Sequence, residues 1–292
     1  MQLKAFIELL RCPVCHMRMR IESREQTAGL EDIIRGSVAC DMGHQWAVEE
    51  GILVFTREDA PSDAWTRSQK DYAAYAASTP VWVEYSASQV APILEPIARH
   101  GSNLHLDICT GQGGLLYNLL KCMEPTEGTL SVEMSLHVHR FNSRYLREKY
   151  PCKRVGLIAG DASQLPLADS SIDTVSSYGM GNMLEKMRAG MKEVARVLRP
   201  GGLFAFNHIA VPEGSRGWQA FEQGMRQMGA TDYRFAALRN DFEEMMKASG
   251  FCGYEIKTIS ETVGEANRDW EAGPTFPFPN EPMVEMLITA WK

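Results

Sequence analysis

Short apolar runs alternate with amphipathic stretches over the last two thirds of the chain. The apolar runs cover 103–109, 129–134, 155–159, 172–177 and 203–209, and each has the length of a buried strand. Between the last two runs, apolar residues recur at three- and four-residue steps, as at Met187, Met191, Val194 and Leu198, which indicates a helix. Strand–helix alternation of this kind predicts a parallel sheet covered by helices on both faces.

The pattern changes near the end of the chain. Residues 241–249 have a helical pattern, whereas 254–260 and 283–291 have the pattern of strands. The segment between those strands is rich in proline, glycine and aromatic residues, and it predicts no element. Two strands without a crossover helix favour an antiparallel hairpin. The predicted fold is therefore α/β and Rossmann-like, with a seven-stranded, mostly parallel sheet that ends in a C-terminal hairpin.

Three regions follow one another along the sequence. Residues 1–56 carry a Cys/His cluster and two short β-like runs, and they predict a small zinc-ribbon-like domain. Residues 57–100 predict a helical linker, with a helix at 88–99 that Pro92 and Pro96 weaken. The linker is rich in aromatic residues, of which Tyr72, Tyr75 and Trp82 could form a lid over the site or pack as a core. Residues 101–292 form the Rossmann-like domain.

Composition limits the classes of protein that fit this chain. With 292 residues and 45% hydrophobic content, the chain can bury a full core. It has no run of 18 or more apolar residues, as a membrane span would need, and no signal-peptide order at its start, so we expect a cytoplasmic protein. A net charge of −7 is ordinary for an enzyme and disfavours broad binding of nucleic acid.

The N-terminal region carries four residues with the spacing of a metal site. Cys12 and Cys15 form a Cys-x2-Cys pair, and Cys40 and His44 form a second pair. Three thiolates and one imidazole suit a structural Zn²⁺ ion, because they fill its tetrahedral shell and leave no open position. His16 directly follows Cys15 and is a poorer ligand than His44. The alternative is a set of buried cysteines without metal, which we expect for the scattered remainder: Cys109, Cys122, Cys152 and Cys252.

A glycine-rich turn follows the first strand of the Rossmann-like domain. Asp107 lies near the end of this strand, and the turn runs from Cys109 through Gly111 and Gly113 to Gly114, where a helix begins. Glycines let the backbone approach a ligand closely, and the helix N-terminus offers unpaired N–H groups. A dinucleotide, a flavin or another nucleotide could fit such a turn. Cys109 stands where a dinucleotide fingerprint has its first glycine.

Acidic residues close the next two strands. Glu133 comes 26 residues after Asp107 and can accept hydrogen bonds from both ribose hydroxyls. Asp161 follows the third strand and can hold the exocyclic amine of adenine. The carboxyl ends of parallel strands lie at one edge of the sheet, where open α/β folds bind ligands. Taken singly, either acid could instead cap a helix or lie on the surface.

Three segments, 106–113, 160–167 with Ile172-Asp173, and 197–202, resemble successive motifs of class I S-adenosylmethionine-dependent methyltransferases. Residues 177–182 resemble the matching segment of ubiquinone/menaquinone-type C-methyltransferases. The resemblance implies S-adenosylmethionine as cofactor, with its methionine end near the glycine turn and its transferable methyl beside 178–182. The implied cofactor-binding residues are Asp107, Cys109, Gly111, Gly113, Glu133, Met134, Asp161, Ala162, Tyr178, Gly179 and Asn182.

The N-terminal region resembles the zinc-binding domain of rRNA guanine-N1 methyltransferases. The shared features are the Cys pairs, the run Gly43-His44-Gln45-Trp46 and the run Glu50-Gly51-Ile52. Short zinc-ribbon partners that activate some methyltransferases look similar. In the first family the domain helps to recognise RNA. In this chain several arginines are interspersed with acidic residues, so an RNA-binding surface is not evident.

We therefore expect an S-adenosylmethionine-dependent methyltransferase acting on a small, aromatic or quinone-like acceptor. His208 and Tyr178 are the candidate catalytic residues, by their positions after strands. One alternative is an rRNA or tRNA guanine N-methyltransferase that uses the zinc domain to recognise RNA. Another is a non-catalytic protein that binds the cofactor or regulates a partner. The zinc domain could also mediate a homodimer or bind a protein partner.

Overall fold

The structure is a computed structural model that describes residues 3–28, 32–56, 86–180, 184–210, 212, 214–215, 218–219, 239–263 and 282–292. Its strands are β1 Met19–Ala28, β2 Asp32–Cys40, β3 Gln45–Glu49, β4 Ile52–Val54, β5 Leu104–Ile108, β6 Gly128–Glu133, β7 Val155–Ala159, β8 Ile172–Tyr178, β9 Leu198–Ala210, β10 Gly253–Val263 and β11 Pro282–Trp291. Its helices are α1 Leu3–Phe6, α2 Ala87–His100, α3 Gly114–Cys122, α4 Leu136–Lys149, α5 Leu184–Val197 and α6 Arg239–Ala248, with 3-10 turns at Ile7–Leu9 and Ala162–Gln164.

The strands form one sheet in the order β1-β2-β3-β4-β7-β6-β5-β8-β9-β11-β10. The five central strands β7, β6, β5, β8 and β9 are parallel, and β11 pairs antiparallel with both β9 and β10. The Rossmann-like part and its closing hairpin are therefore as predicted. Because the neighbours β5, β6 and β7 all end at the same edge, their terminal residues lie side by side.

The sheet is larger than the sequence suggested. Strand β4 pairs in parallel with β7, and β1, β2 and β3 extend it further in antiparallel pairs. The seven strands predicted for the Rossmann-like part are present as β5 to β11, but within the described residues the sheet has eleven strands, because the N-terminal strands join it rather than forming a separate sheet. A three-residue strand such as β4 gives too short an apolar run to reveal its partner.

Side-chain and backbone contacts hold the N-terminal segment against the Rossmann-like part. The guanidinium of Arg140 on α4 lies 2.8 Å from the Glu49 carboxylate at the end of β3. Before β1, the backbone N–H of Arg11 donates to the Pro166 carbonyl at 2.8 Å, and the backbone N–H of Ala168 donates to the Leu9 carbonyl at 2.9 Å. The apolar core is continuous across this junction, with Phe6 and Leu53 in one cluster with strand residues such as Leu130.

Two local features differ from the expectations. Helix α2 continues through Pro92 and Pro96, because a capping box between Ser86 and Gln89 fixes its start and its Ile93 and Ile97 side chains are fully buried. The Pro-Gly-Gly run at 200–202, a pattern typical of a turn that follows a helix, lies inside β9, where Gly201 has a φ of +80° and Lys292 pairs with this segment. The predicted lid residues Tyr72, Tyr75 and Trp82 lie outside the described residues.

None of the helices in the described ranges combines the length and apolar character that crossing a bilayer requires.

Candidate functional site

Asp107 lies near the carboxyl end of the central strand β5 and is 1% exposed. Its Oδ1 atom accepts a hydrogen bond from the Ser176 hydroxyl at 2.8 Å, whereas its buried Oδ2 atom has no hydrogen-bond partner among the described residues. Burial, and secondarily the nearby charge of Glu133, raises the pKa of Asp107 to about 7. A buried acceptor without a donor is costly, so this atom is suited to a donor supplied by a ligand.

Glu133 ends the neighbouring strand β6 and is 5% exposed. Its Oε2 accepts from the Gly111 N–H at 2.9 Å, and its Oε1 accepts from the Ser135 N–H at 3.0 Å. Burial raises its pKa, and these backbone donors oppose the rise. Met134 follows it and is half-buried. The predicted pair of acids is therefore brought to one edge, with Glu133 tied to the glycine turn.

The glycine turn uses left-handed backbone conformations. Cys109, Gly111 and Gly113 have φ values of +52°, +52° and +85°. A Cβ on Gly113 would lie 2.4 Å from the ring of Tyr117, which explains glycine at that position. A Cβ on Gly111 would meet no described atom within 4 Å. The space beside Gly111 is therefore open to a ligand, while Cys109 adopts a conformation that a side chain disfavours.

Asn142 on α4 is a functional candidate that the sequence reasoning missed. Its Nδ2 donates to the Gly111 carbonyl at 2.8 Å, and its Oδ1 accepts from the Tyr117 hydroxyl at 2.6 Å. Gly111 is thus held at its N–H by Glu133 and at its carbonyl by Asn142. In the sequence, Asn142 is a polar residue on the buried face of an amphipathic helix, and that pattern indicates no specific function.

Asp161 follows β7, the third of the strands whose carboxyl ends lie side by side with those of β5 and β6, and it is half-buried. Its Oδ1 accepts from the N–H and the hydroxyl of Ser163, at 2.8 and 2.7 Å, and it caps the 3-10 turn that contains Ala162. Its Oδ2 lies 3.8 Å from the Lys186 ammonium. Asp161 therefore has the capping role that was left open for it, and its position at the edge also remains compatible with ligand binding.

Tyr178 ends β8 beside a polar cluster. The Gly179 N–H donates to Asn207 Oδ1 at 2.9 Å, and Asn207 Nδ2 donates to the Glu285 carboxylate at 2.7 Å. Burial and the charge of Glu285 raise the pKa of Tyr178, so its phenol keeps its proton at neutral pH. Asn207 and Glu285 were missed because no motif marks strand residues of this type. The predicted Asn182 lies outside the described residues.

His208, the second catalytic candidate, is 5% exposed, and its ring lies 4.9 Å from that of Phe242 on α6. It directly follows Asn207, the residue of β9 that pairs with Tyr178. Successive strand residues point to opposite faces, so the structure places His208 and Tyr178 on opposite faces of the sheet.

The four predicted metal ligands meet at one point. The side-chain ligand atoms of Cys12, Cys15, Cys40 and His44 all lie within 4.8 Å of one another. The Sγ atoms of Cys15 and Cys40 are 3.6 Å apart, and His44 Nδ1 lies 3.3–3.6 Å from the three sulfurs. Tetrahedral Zn²⁺ with ordinary bond lengths gives ligand–ligand distances of about 3.5–3.8 Å. This donor set could hold a zinc ion.

Comparison with known proteins finds that part of this chain is similar to methyltransferases. Residues 106–206 match the family model described as a methyltransferase domain. The malonyl-(acyl-carrier protein) O-methyltransferase of Methylococcus capsulatus is 33% identical over 150 residues, covering 50% of this chain and 50% of that protein. The demethylmenaquinone methyltransferase of Lactobacillus johnsonii is 26% identical over 176 residues, covering 54% and 72%. The chain thus spans about half the length of the first of these relatives.

The fold has a counterpart among solved structures. Phosphoethanolamine N-methyltransferase 2 of Haemonchus contortus, in complex with S-adenosyl-L-methionine, superposes with a TM-score of 0.51 at 17% identity, covering 70% of this chain and 52% of that one. The segment that matches the family model, 106–206, contains the glycine turn and the three strand ends described above. The family match and the relatives thus show that the Rossmann-like part of this chain is similar to methyltransferase domains.

Proposed function

We propose that the chain is an S-adenosylmethionine-dependent methyltransferase acting on a small, aromatic or quinone-like acceptor. The observation that carries the proposal is the pair of buried carboxylates, Asp107 and Glu133, at adjacent strand ends around Gly111. Among the described residues, one Asp107 carboxylate oxygen has no donor, and no atom occupies the space beside Gly111. These features fit a ligand with a cationic amine and vicinal hydroxyls.

Each part of the cofactor has a matching group in the chain. Asp107 would hold the methionine ammonium, Glu133 the ribose hydroxyls, and Asp161 with Ala162 the adenine. Cys109, Gly113 and Met134 would line the cofactor, with Tyr178, Gly179 and Asn182 beside the methyl. When bound, the cofactor supplies an electrophilic methyl on a sulfonium. The chain's own task is to align the acceptor and exclude water, which is a proximity effect.

Tyr178 is suited to orienting the acceptor. Its phenol stays protonated at neutral pH, so it can donate a hydrogen bond and is a poor general base. Asn207 holds the adjacent Gly179 in place through its side-chain oxygen. A small-molecule acceptor accords with the demethylmenaquinone relative and with the net charge of −7, which disfavours an RNA acceptor.

Calorimetry with S-adenosylmethionine, followed by a radioactive methyl-transfer assay, tests this function. The acceptor panel contains demethylated quinones, small phenols and transcripts of tRNA and rRNA, assayed at low salt. Transfer to a phenol or quinone supports the proposal, and transfer to RNA alone replaces it with the guanine N-methyltransferase reading. Cofactor binding without transfer to any acceptor would favour the non-catalytic alternative.

We also propose that Cys12, Cys15, Cys40 and His44 bind a structural Zn²⁺ ion. Their ligand atoms already have tetrahedral spacing, and four protein ligands leave no position for a reacting water. The ion would fix the turns that begin β1 and β3, which have little core of their own. Elemental analysis of the purified protein tests this. Equimolar zinc supports it, and protein purified with zinc in the medium yet free of metal contradicts it.

A further inference from the structure

A chain of buried polar side chains runs from Asp107 to the surface. Ser176 Oγ lies 2.8 Å from Asp107 Oδ1 and 2.9 Å from His105 Nε2. His105 Nδ1 lies 2.8 Å from Thr174 Oγ1, which lies 2.8 Å from Ser102 Oγ. His105, Thr174 and Ser176 are 0% exposed, whereas Ser102 is half-buried at the start of β5. The function proposed above uses none of these four side chains.

This chain of hydrogen-bonded side chains arises from the register of the central strands β5 and β8. His105 pairs with Thr174 and Asp107 pairs with Ser176, so the side chains of these two pairs lie on one face of the sheet. That face otherwise packs against apolar residues of α2 and α3, such as Ile97 and Leu116. Because these surroundings are apolar, each buried polar group must find its hydrogen-bond partner among the side chains of this path.

Each hydroxyl has one proton, so two directions of hydrogen bonding satisfy every member. When Asp107 is ionised, Ser176 donates to Asp107, His105 Nε2–H donates to Ser176, and Thr174 donates to His105 Nδ1, while the half-buried Ser102 donates to solvent. When Asp107 is protonated, the links from Asp107 to Thr174 reverse, His105 carries its proton on Nδ1 instead, and Thr174 donates to Ser102 as it does in the structure. Burial lowers the pKa of His105 to about 3, so the ring is neutral in both arrangements and only its tautomer changes.

We propose that Ser176, His105, Thr174 and Ser102 form a proton path between Asp107 and solvent, in which His105 is a positioning residue for the charge of Asp107. Ionisation passes one proton along each link: Asp107 to Ser176, Ser176 to Nε2, Nδ1 to Thr174, Thr174 to Ser102, and Ser102 to water. One proton leaves the protein, and no other group changes its charge. The role of this path in binding rests on the proposed function: the cationic ammonium of the cofactor could bind to ionised Asp107 without water entering the buried site.

The charged surroundings of Asp107 allow this exchange near neutral pH. Glu133 on β6 is the ionisable group whose charge acts on Asp107, and β8 faces Asp107 with the Ser176 hydroxyl. Tyr117 on α3 is engaged with Asn142 instead. The midpoint expected for Asp107 is the raised pKa of about 7, which lies well apart from the titration of His105.

Nitrogen-15 NMR of the histidine rings in the cofactor-free protein tests the path. Between pH 5 and 9 we expect the His105 proton to move from Nδ1 to Nε2, with the midpoint of Asp107. A single tautomer throughout, while the Asp107 carboxyl carbon titrates, would overturn the proposal. Because no cofactor is present, failure of this experiment and failure of cofactor binding are separate results.

Two matched variants locate the coupling. In Ser176→Ala the chain is cut beside Asp107, so the His105 tautomer should no longer follow the Asp107 midpoint. Thr129→Val is the control, since Thr129 is buried next to β5 but its hydroxyl has no partner among the described residues. The exchange should persist in that control. Persistence of the exchange in Ser176→Ala contradicts the path.

Discussion

The Gly111 N–H donates to the Glu133 carboxylate over 2.9 Å, so the acid that ends β6 holds the turn that follows β5. The same carboxylate accepts from the Ser135 N–H, and both of its oxygens are engaged. A ligand that approaches Gly111 therefore meets a carboxylate whose position is already fixed. This preorganisation reduces the ordering cost of binding.

Glu133→Gln should weaken cofactor binding while keeping the fold. The amide retains an acceptor for Gly111 but loses the charge that strengthens hydrogen bonds from ribose hydroxyls. We expect the dissociation constant of S-adenosylmethionine to rise roughly 10- to 100-fold, from about 1–3 kcal/mol of lost interaction. Calorimetry measures it, with Glu148→Gln as an exposed control at the end of α4. Equal affinity in Glu133→Gln and wild type would place the ribose elsewhere.

Asp107→Asn should stabilise the folded protein and weaken its binding of S-adenosylmethionine. The folded pKa of Asp107 is raised from 3.8 to about 7, so the folded state keeps a proton that the unfolded state loses in this range. Its contribution to stability therefore falls as pH rises from 4 to 7 and is constant above. Asparagine does not ionise, so the variant should be more stable than wild type above pH 7, by a free energy of unfolding on the order of 1–4 kcal/mol.

Urea denaturation at pH 5 and at pH 8 measures this difference. The stability gain of Asp107→Asn over wild type should be larger at pH 8 than at pH 5. Its affinity for S-adenosylmethionine should nevertheless be lower, because the ammonium loses a charged partner. An equal gain at both pH values would mean that Asp107 is already ionised in the folded protein at pH 5.

Cys109→Gly and Gly111→Ala should change stability in opposite directions, because both positions have a φ of +52°. A side chain in the left-handed region costs roughly 1–2 kcal/mol, and the extra freedom of unfolded glycine offsets part of the gain on its removal. We expect Cys109→Gly to gain up to about 1 kcal/mol, and Gly111→Ala to lose about 1 kcal/mol. Thermal denaturation compares them. A clear loss in Cys109→Gly would show that packing of the thiol outweighs its backbone strain.

Cys40→Ser should abolish stoichiometric zinc and lower the melting temperature by several degrees, because a hydroxyl is a weak ligand for this ion. A strong chelator should destabilise the wild type similarly and leave Cys40→Ser unchanged. Cys252→Ser is the matched control, since Cys252 lies outside the cluster and, like Cys122 and Cys152, is exposed rather than buried as expected from the sequence. Identical melting of wild type with and without chelator would exclude a structural role for zinc.

Sequence reasoning reached the parts of this molecule that depend on local pattern. The runs that became β5 to β11 were visible by length and alternation, and Asp107 and Glu133 were found because strand ends share one edge. The cysteine pairs were found by spacing, and their ligand atoms do converge. In each case the signal lies within a short stretch of chain, or in the order of such stretches.

Long-range contacts were not predictable in the same way. Nothing in Ile52–Val54 names β7 as its partner, because a three-residue apolar run fits many neighbours. The link from Asn142 to Gly111, and that from Asn207 to Gly179, depend on how helices and strands are placed in space. His208 looked similar to Tyr178 in the sequence, and only the register of β9 separates their faces.

The parallel pairing of β4 with β7 leaves no open edge on that side of the Rossmann-like part. Without β4, the backbone N–H and C=O groups of Val155–Ala159 would face solvent along a flat, apolar strand. Such strands recruit other strands and promote aggregation. Residues 1–56 therefore also cover a strand edge that would otherwise favour self-association. The Rossmann-like part, cut free of residues 1–56, would be expected to precipitate before any catalysis could be measured.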